Sequence, residues 1–194
     1  SMICGLTGME ISNASLYDGA SAVAEACSMA VAATGKNKIL LSSMLNPAYI
    51  ELVKIYFKYK NIEIVYLESN DGITSIDSIK SNINQDVACI VVQSPNYHGL
   101  VEDWLEVSKH KESALLIGVS DPISLSLLKS PYDCNCDVYV GEGQSLGNYM
   151  SLGGPYIGLF ATKLKYARKM PGRIIGRTKD VDGKEGFVMT LQTR

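Results

Sequence analysis

The sequence has few of the residues that usually announce a chemistry. Its 194 residues include two histidines, His98 and His110. His110 lies among Lys109, Lys111 and Glu112 and reads as solvated surface. No serine–histidine–acid or cysteine–histidine set is identifiable from spacing. Positive charge is not in surplus: 18 Lys and Arg face 20 Asp and Glu, a formal charge of −2. That balance gives a nucleic-acid partner little electrostatic support. No apolar run approaches the ~20 residues of a membrane-spanning helix. The longest candidate, Ala20 to Ala33, is alanine-rich and broken by Glu25 and two serines. No secretory leader, no G-x-x-x-x-G-K-[ST] phosphate loop, no internal repeat and no low-complexity linker is found.

Five cysteines form an odd, scattered set. Cys134-Asn135-Cys136 has neither zinc nor thioredoxin spacing, so no metal is expected. Cys27 and Cys89 lie in apolar segments and read as small core residues. These features together predict a reduced, cytoplasmic protein.

What the sequence does have is alternation. Lys38–Ser43, Glu63–Leu67, Val87–Gln93, Ala114–Val119, Asp137–Gly141 and Tyr156–Ala161 read as strands, Val87–Gln93 being the most apolar. Helices are expected between them. One opens at Tyr17-Asp18-Gly19-Ala20-Ser21 and ends at Gly35. A second starts at Asn46-Pro47 and runs to about Tyr59. A third carries Ile76, Ile79 and Ile83, a fourth spans Glu102 to Lys109, and a fifth begins at Asp121-Pro122 and ends near Lys129. Asp182-Gly183 between two β-like runs, Arg173–Thr178 and Gly186–Gln192, signals a hairpin. Repeated βα units predict an α/β fold, a three-layer α/β/α sandwich with a mostly parallel sheet. A single domain covering 1–194 is expected, without a folded lead-in and with native flanks missing at both ends.

Candidate site residues follow from the rule that open α/β sheets place ligands at the carboxyl ends of their strands. His98 and Asn96 lie in the loop after Val87–Gln93, and Asp121 follows Ala114–Val119. Gly141-Glu142-Gly143-Gln144-Ser145-Leu146-Gly147 is G-x-G-x-x-x-G, with Leu146 where a dinucleotide fingerprint needs its third glycine. A tight turn explains it better. Asp18, Gly19 and Ser21 open a helix whose N–H groups could cradle a phosphate, or could simply be Asp-capped. Asp121 is likewise explained by capping at Pro122.

Several segments in order resemble one family. They are Thr7-Gly8-Met9, Asn13-Ala14-Ser15-Leu16-Tyr17-Asp18-Gly19-Ala20, Val119-Ser120-Asp121-Pro122, Gly141 to Gly147, Gly153-Gly154-Pro155-Tyr156-Ile157-Gly158, Pro171-Gly172-Arg173-Ile174-Ile175-Gly176 and the tail Gly186 to Arg194. Together they resemble glycine dehydrogenase (decarboxylating), the P-protein of the glycine cleavage system. The resemblance implies the large domain of a fold-type-I transferase of the aminotransferase class, dependent on pyridoxal phosphate (PLP). It implies a reaction in which glycine is decarboxylated and its aminomethyl group passes to the lipoyl arm of H-protein.

It also implies which half this is. Counting back from Gly153-Gly154-Pro155, the family's cofactor-binding lysine falls on Gln144 and its preceding histidine on Gly143. An amide cannot form a Schiff base, so the match is to subunit 1, the half without covalent PLP. The cofactor then belongs to the partner, a PLP-bearing subunit 2. Asp18, Gly19, Ser21, Asn96, His98, Asp121 and Gln144 are expected to line a remnant cleft, with no catalytic residue in this chain. An exposed apolar patch is expected where the partner docks. The alternative is a free-standing nucleotide- or cofactor-binding enzyme that uses the loop from Gly141 to Gly147.

Overall fold

The computed structural model describes residues 1–192. Thr193 and Arg194, the last two residues of the family-like tail, lie outside the described residues. Eleven strands form: β1 (Ile11–Ser12), β2 (Lys38–Ser42), β3 (Glu63–Leu67), β4 (Ser69–Asn70), β5 (Ile73–Thr74), β6 (Val87–Gln93), β7 (Leu115–Val119), β8 (Val138–Glu142), β9 (Gly158–Thr162), β10 (Arg173–Lys179) and β11 (Glu185–Gln192). Five α-helices accompany them: α1 (Met2–Thr7), α2 (Gly19–Thr34), α3 (Pro47–Phe57), α4 (Ile76–Asn82) and α5 (Trp104–Ser108). The main sheet has the order β1-β9-β8-β7-β6-β2-β3. From β3 to β8 neighbouring strands are parallel, while β9 is antiparallel to both β8 and β1.

The sheet is covered on both sides, which is why its central strands read as continuous apolar runs. Alternate residues divide between two cores. Ile39, Leu41, Cys89, Val91, Ile117, Val138, Val140 and Phe160 face α2 and α3. Leu40, Ile90, Val92, Leu116, Tyr139, Leu159 and Ala161 face the other way, against Ile79 of α4 and Trp104 and Val107 of α5. This is the expected three-layer sandwich. Helix α2 fits closely because its inner face is built of small residues, with Ala22, Ala26, Cys27 and Ala30 fully buried. No helix among the described residues is long and apolar enough to cross a membrane.

Four expectations need correction. The chain does begin with a folded element: α1 ends at Gly8 in the left-handed region (φ 72°), and Ile3 and Leu6 pack on the second core. The helix expected from Pro122 to Lys129 is a short 3-10 turn, Pro122–Ser126. There the Ser124 and Ser126 hydroxyls donate to the carbonyls of Asp121 and Ile123, local bonds that compete with a regular helix. The helix expected from Glu102 starts two residues later. Glu102 is buried, and its carboxylate accepts from the Thr74 amide and the Asn96 side chain, leaving Asp103 as the cap. The strand expected from Tyr156 starts at Gly158, because the Ile157 amide turns to the Glu142 carboxylate.

The amino edge of the sheet is fastened by one buried carboxylate. Asp137, just before β8, pairs with Lys111 ahead of β7 and with Lys163 after β9 (Nζ–Oδ1 2.7 Å), and accepts from the Leu116 amide (3.1 Å). Burial by itself pushes this carboxyl up. The hydrogen bonds from the two lysines, their Coulombic pull and the Leu116 amide outweigh that and hold its pKa below the ordinary value. A depressed folded pKa means that the stabilisation is present above about pH 4, the unfolded value, and is lost as pH falls through the folded one. Asp137→Asn should therefore cost about 3 kcal/mol at neutral pH, lowering Tm by about 10 °C in a chain of this size. The deficit should shrink on acidification below about pH 4. Thermal melts from pH 3 to 8 check both statements; a deficit that stays constant with pH would contradict them.

Candidate functional site

The carboxyl ends of β7 and β8 meet the N-terminus of α2 at one edge of the sheet. Three features of the chain bring them together. Asp18 caps α2: its Oδ1 accepts from the Ser21 amide (2.7 Å) and the Ser21 hydroxyl (2.5 Å), and Ser21 Oγ accepts from the Asp18 amide (3.1 Å), a complete capping box. Glycine at 158 lets the strand pass the capping turn; a Cβ there would lie 2.3 Å from the Asp18 carbonyl oxygen. Glycine at 19 lets the helix end approach β8; a Cβ there would lie 2.6 Å from the Tyr49 hydroxyl and 2.9 Å from Glu142 Cβ.

Glu142, the last residue of β8, joins the pieces. Its Oε2 accepts from the Gly19 amide (2.8 Å), and its Oε1 accepts from the amides of Gln144 (3.0 Å) and Ile157 (2.9 Å). One carboxylate thus binds the first turn of α2, the turn after β8 and the residue entering β9. Beside it stands Tyr49, from the first turn of α3. Burial pushes the Tyr49 phenol up to about 12, and the carboxylates of Glu142, Asp18 and Asp121 add to the rise. The edge is therefore acidic around a neutral phenol.

The structure brings some of the expected residues together and separates others. Asp18, Gly19 and Ser21 meet Gln144 through Glu142. Asp121 joins them: its Oδ1 accepts from the Ile123 amide (2.8 Å) and from Ser145 Oγ (2.9 Å), tying the β7 end to the turn after β8. Gln144 turns its side-chain amide to the Asn148 carbonyl (2.6 Å). Asn96 belongs elsewhere. It is 4% exposed, donates to the Gly72 carbonyl and Glu102, and accepts from the amides of His98 and Leu100. It is a loop fastener under β4 and β5. His98 is exposed and packs edge-on to Tyr97. Glu142 and Tyr49 were missed in the sequence. The signal for Glu142 was an acid between two glycines at the end of a buried strand; Tyr49 had none.

The residues at this edge do not fit PLP. Position 144, where the resemblance puts the family's lysine, offers an amide, which cannot form a Schiff base. The Gly19 and Ser21 amides, which a phosphate would need, already serve the Glu142 and Asp18 carboxylates. Gly143 has no room for a side chain, such as the histidine that the resemblance puts there, since a Cβ would lie 2.8 Å from Ile157 Cγ2 and 3.0 Å from Leu159 Cδ2. The nucleotide-binding alternative fares no better. The Gly143 amide donates to the Ile157 carbonyl (2.8 Å) and the Gln144 amide to Glu142, so these two donors are already used within the chain. Among the described residues no group of three or more His, Cys, Asp or Glu side chains could hold a metal ion.

Beyond the turn, the chain from Leu146 to Tyr156 displays large apolar side chains. Tyr149 is 86% exposed, Met150 79% and Leu152 fully exposed. Tyr17, next to the bridge between Leu16 and Gly158, is 83% exposed. A groove of about 490 Å³ borders this loop, lined among others by Ser12, Asn13, Gly143, Leu146 and Ile157.

A crystal structure of glycine decarboxylase (P-protein) of the glycine cleavage system, in inhibitor-bound form, superposes with a TM-score of 0.92 at 39% identity, covering 98% of this chain and 43% of that one. A cystathionine gamma-lyase of Micromonospora echinospora (TM-score 0.66, 16% identity, 86% of this chain and 42% of that one) shares the fold alone, that of fold-type-I PLP-dependent enzymes. Among curated proteins, “Probable glycine dehydrogenase (decarboxylating) subunit 1” of Coprothermobacter proteolyticus is 50% identical over the whole chain, which spans 45% of that relative. The protein of the same description from Desulforamulus reducens is also 50% identical, and the chain spans 44% of it. The chain thus covers less than half the length of these relatives. The family described as “Glycine cleavage system P-protein” matches residues 1–194 without a gap at either end, and the chain belongs to that family.

Proposed function

We propose that this chain is part of the half of the P-protein that does not carry the cofactor. In the assembled enzyme, PLP sits on a partner half, subunit 2. The reaction is decarboxylation of glycine with transfer of the aminomethyl group to the lipoyl arm of H-protein. The cofactor supplies the electron sink for the carbanion that decarboxylation leaves. The observation that carries this reading is Glu142-Gly143-Gln144: a carboxylate where an anion would bind, a glycine with no room for a side chain, and an amide in place of an amine.

On this reading the chain's work is structural and complementary. The loop from Leu146 to Tyr156, with Tyr17 beside it, offers apolar surface of the kind that protein interfaces cover. It adjoins the edge where the sheet ends, so a partner seated there meets the Asp121 and Gln144 turns. Cysteines support a cytoplasmic setting, since all five are free thiols and four are buried.

The primary test is exchange of labelled carbon dioxide into the carboxyl group of glycine. With PLP and H-protein but without subunit 2, the full subunit should stay at background; adding subunit 2 should restore exchange. Exchange by the lone subunit would overturn the proposal. Gln144→Lys should develop no visible band of lysine-bound PLP that responds to glycine, because Glu142 still holds the Gly19 amide and Gly143 has no room for a side chain. Leu152→Asp should weaken capture of subunit 2 about tenfold or more, the effect of an interface anchor. Its Tm should be unchanged, as an exposed site predicts. Surface plasmon resonance and a thermal melt together check this.

A further inference from the structure

We propose that Glu142 is a resident anion: it fills, from within the chain, the position that a cofactor phosphate would need at the head of α2. The inference deepens the reading above, but it concerns one side chain and does not depend on glycine chemistry. A helix N-terminus presents unpaired N–H groups and the positive end of an aligned dipole, and this attracts phosphate and carboxylate alike. At α2 the attraction is already met. Glu142 Oε2 accepts from the Gly19 amide at 2.8 Å, and Asp18 Oδ1 accepts from the Ser21 amide at 2.7 Å.

Glu142 is no casual cap. An ordinary cap comes from the residue that precedes its helix, as Asp18 does here. Glu142 comes from the end of a strand 123 residues away in sequence. Its other oxygen collects two further amides, those of Gln144 and Ile157. Three backbone donors from three separate segments converge on one carboxylate, an arrangement of the kind that binds a free oxyanion. Tyr49 beside it is an un-ionised phenol, Asp18 and Asp121 add further carboxylates, and none of these neighbours is cationic. A phosphate entering this cluster would meet Glu142 and Asp18 on the very amides it needs. The chain is therefore closed to PLP twice, by the amide at Gln144 and by the carboxylate at Glu142.

Removal of the carboxylate should reopen the position. The experiment uses the full subunit, with inorganic phosphate as first probe and PLP against phosphate-free pyridoxal as second. Binding is followed by calorimetry at matched ionic strength. Wild type should show no saturable phosphate binding, and its Gly19 and Ile157 amide resonances should not move on titration. Glu142→Ala should have a lower Tm, should bind phosphate at least about tenfold more tightly than wild type, and should prefer PLP to pyridoxal. Glu142→Ser, which vacates the same place but keeps one acceptor, serves if the alanine variant does not fold. A saturable shift of the Gly19 amide in the wild type would overturn the inference, whatever the variants do. So would a folded alanine or serine variant that binds phosphate no better than wild type. Either result leaves Gln144 and the exchange test untouched, so the inference and the proposed function can fail separately.

Discussion

The first N–H groups of a helix have no partner within it and must find one elsewhere. In α2 this need organises the whole carboxyl edge. The helix lies against the middle of the sheet with alanine and cysteine at the contact, close enough that Gly19 and Gly158 admit no Cβ. With the helix held so near, its leading amides point at the end of β8. Glu142 is the residue that arrives there. The turn at Gln144 and the entry to β9 at Ile157 then take their positions from the same carboxylate. Asp121 adds the next link through Ser145.

The opposite edge is built on a different principle. Asp137 is buried between two lysines from flanking segments, and the Thr162 hydroxyl donates to the Asp137 carbonyl. That edge joins β7, β8 and β9 by charge. The amino ends of the strands are thus tied by an ion pair with two lysines, and the carboxyl ends, where open α/β sheets place ligands, by hydrogen bonds to backbone amides.

Most of the fold was legible in the sequence, because buried parallel strands are written as short apolar runs and their helices as capped periodic segments. Val87–Gln93, Asn46-Pro47 and Asp18 to Gly35 carried their own boundaries. The failures came where a long-range bond outweighed a local pattern. The strand start at Tyr156 moved because Glu142 holds Ile157, and the helix start at Glu102 moved because Thr74 and Asn96 hold that carboxylate. Serine spacing after Asp121 contained a signal for a short turn that the Pro122 start obscured. At the site, Gln144 could be reached only by counting along a family resemblance. Asn96 lies in a loop at the ligand-binding edge by sequence, and its bonds to Gly72 and Glu102, made by the fold, turn it inward. Glu142 carried a local signal, an acid between two glycines after a buried strand, but its partners Gly19 and Ile157 come from other segments.

The Glu142 contact also bears on how such a subunit comes into being. A protein that binds a cofactor at a helix N-terminus gains stability in proportion to the logarithm of the free cofactor concentration, and is weakest when the cofactor is scarce. Here the counter-anion is part of the polypeptide, and its effective concentration is set by chain geometry rather than by supply. The edge is complete as soon as β8 and α2 have packed. On the proposed reading, a half built in this way reaches its final shape under vitamin starvation as readily as under plenty, and gives a cofactor-dependent partner a finished surface on which to assemble.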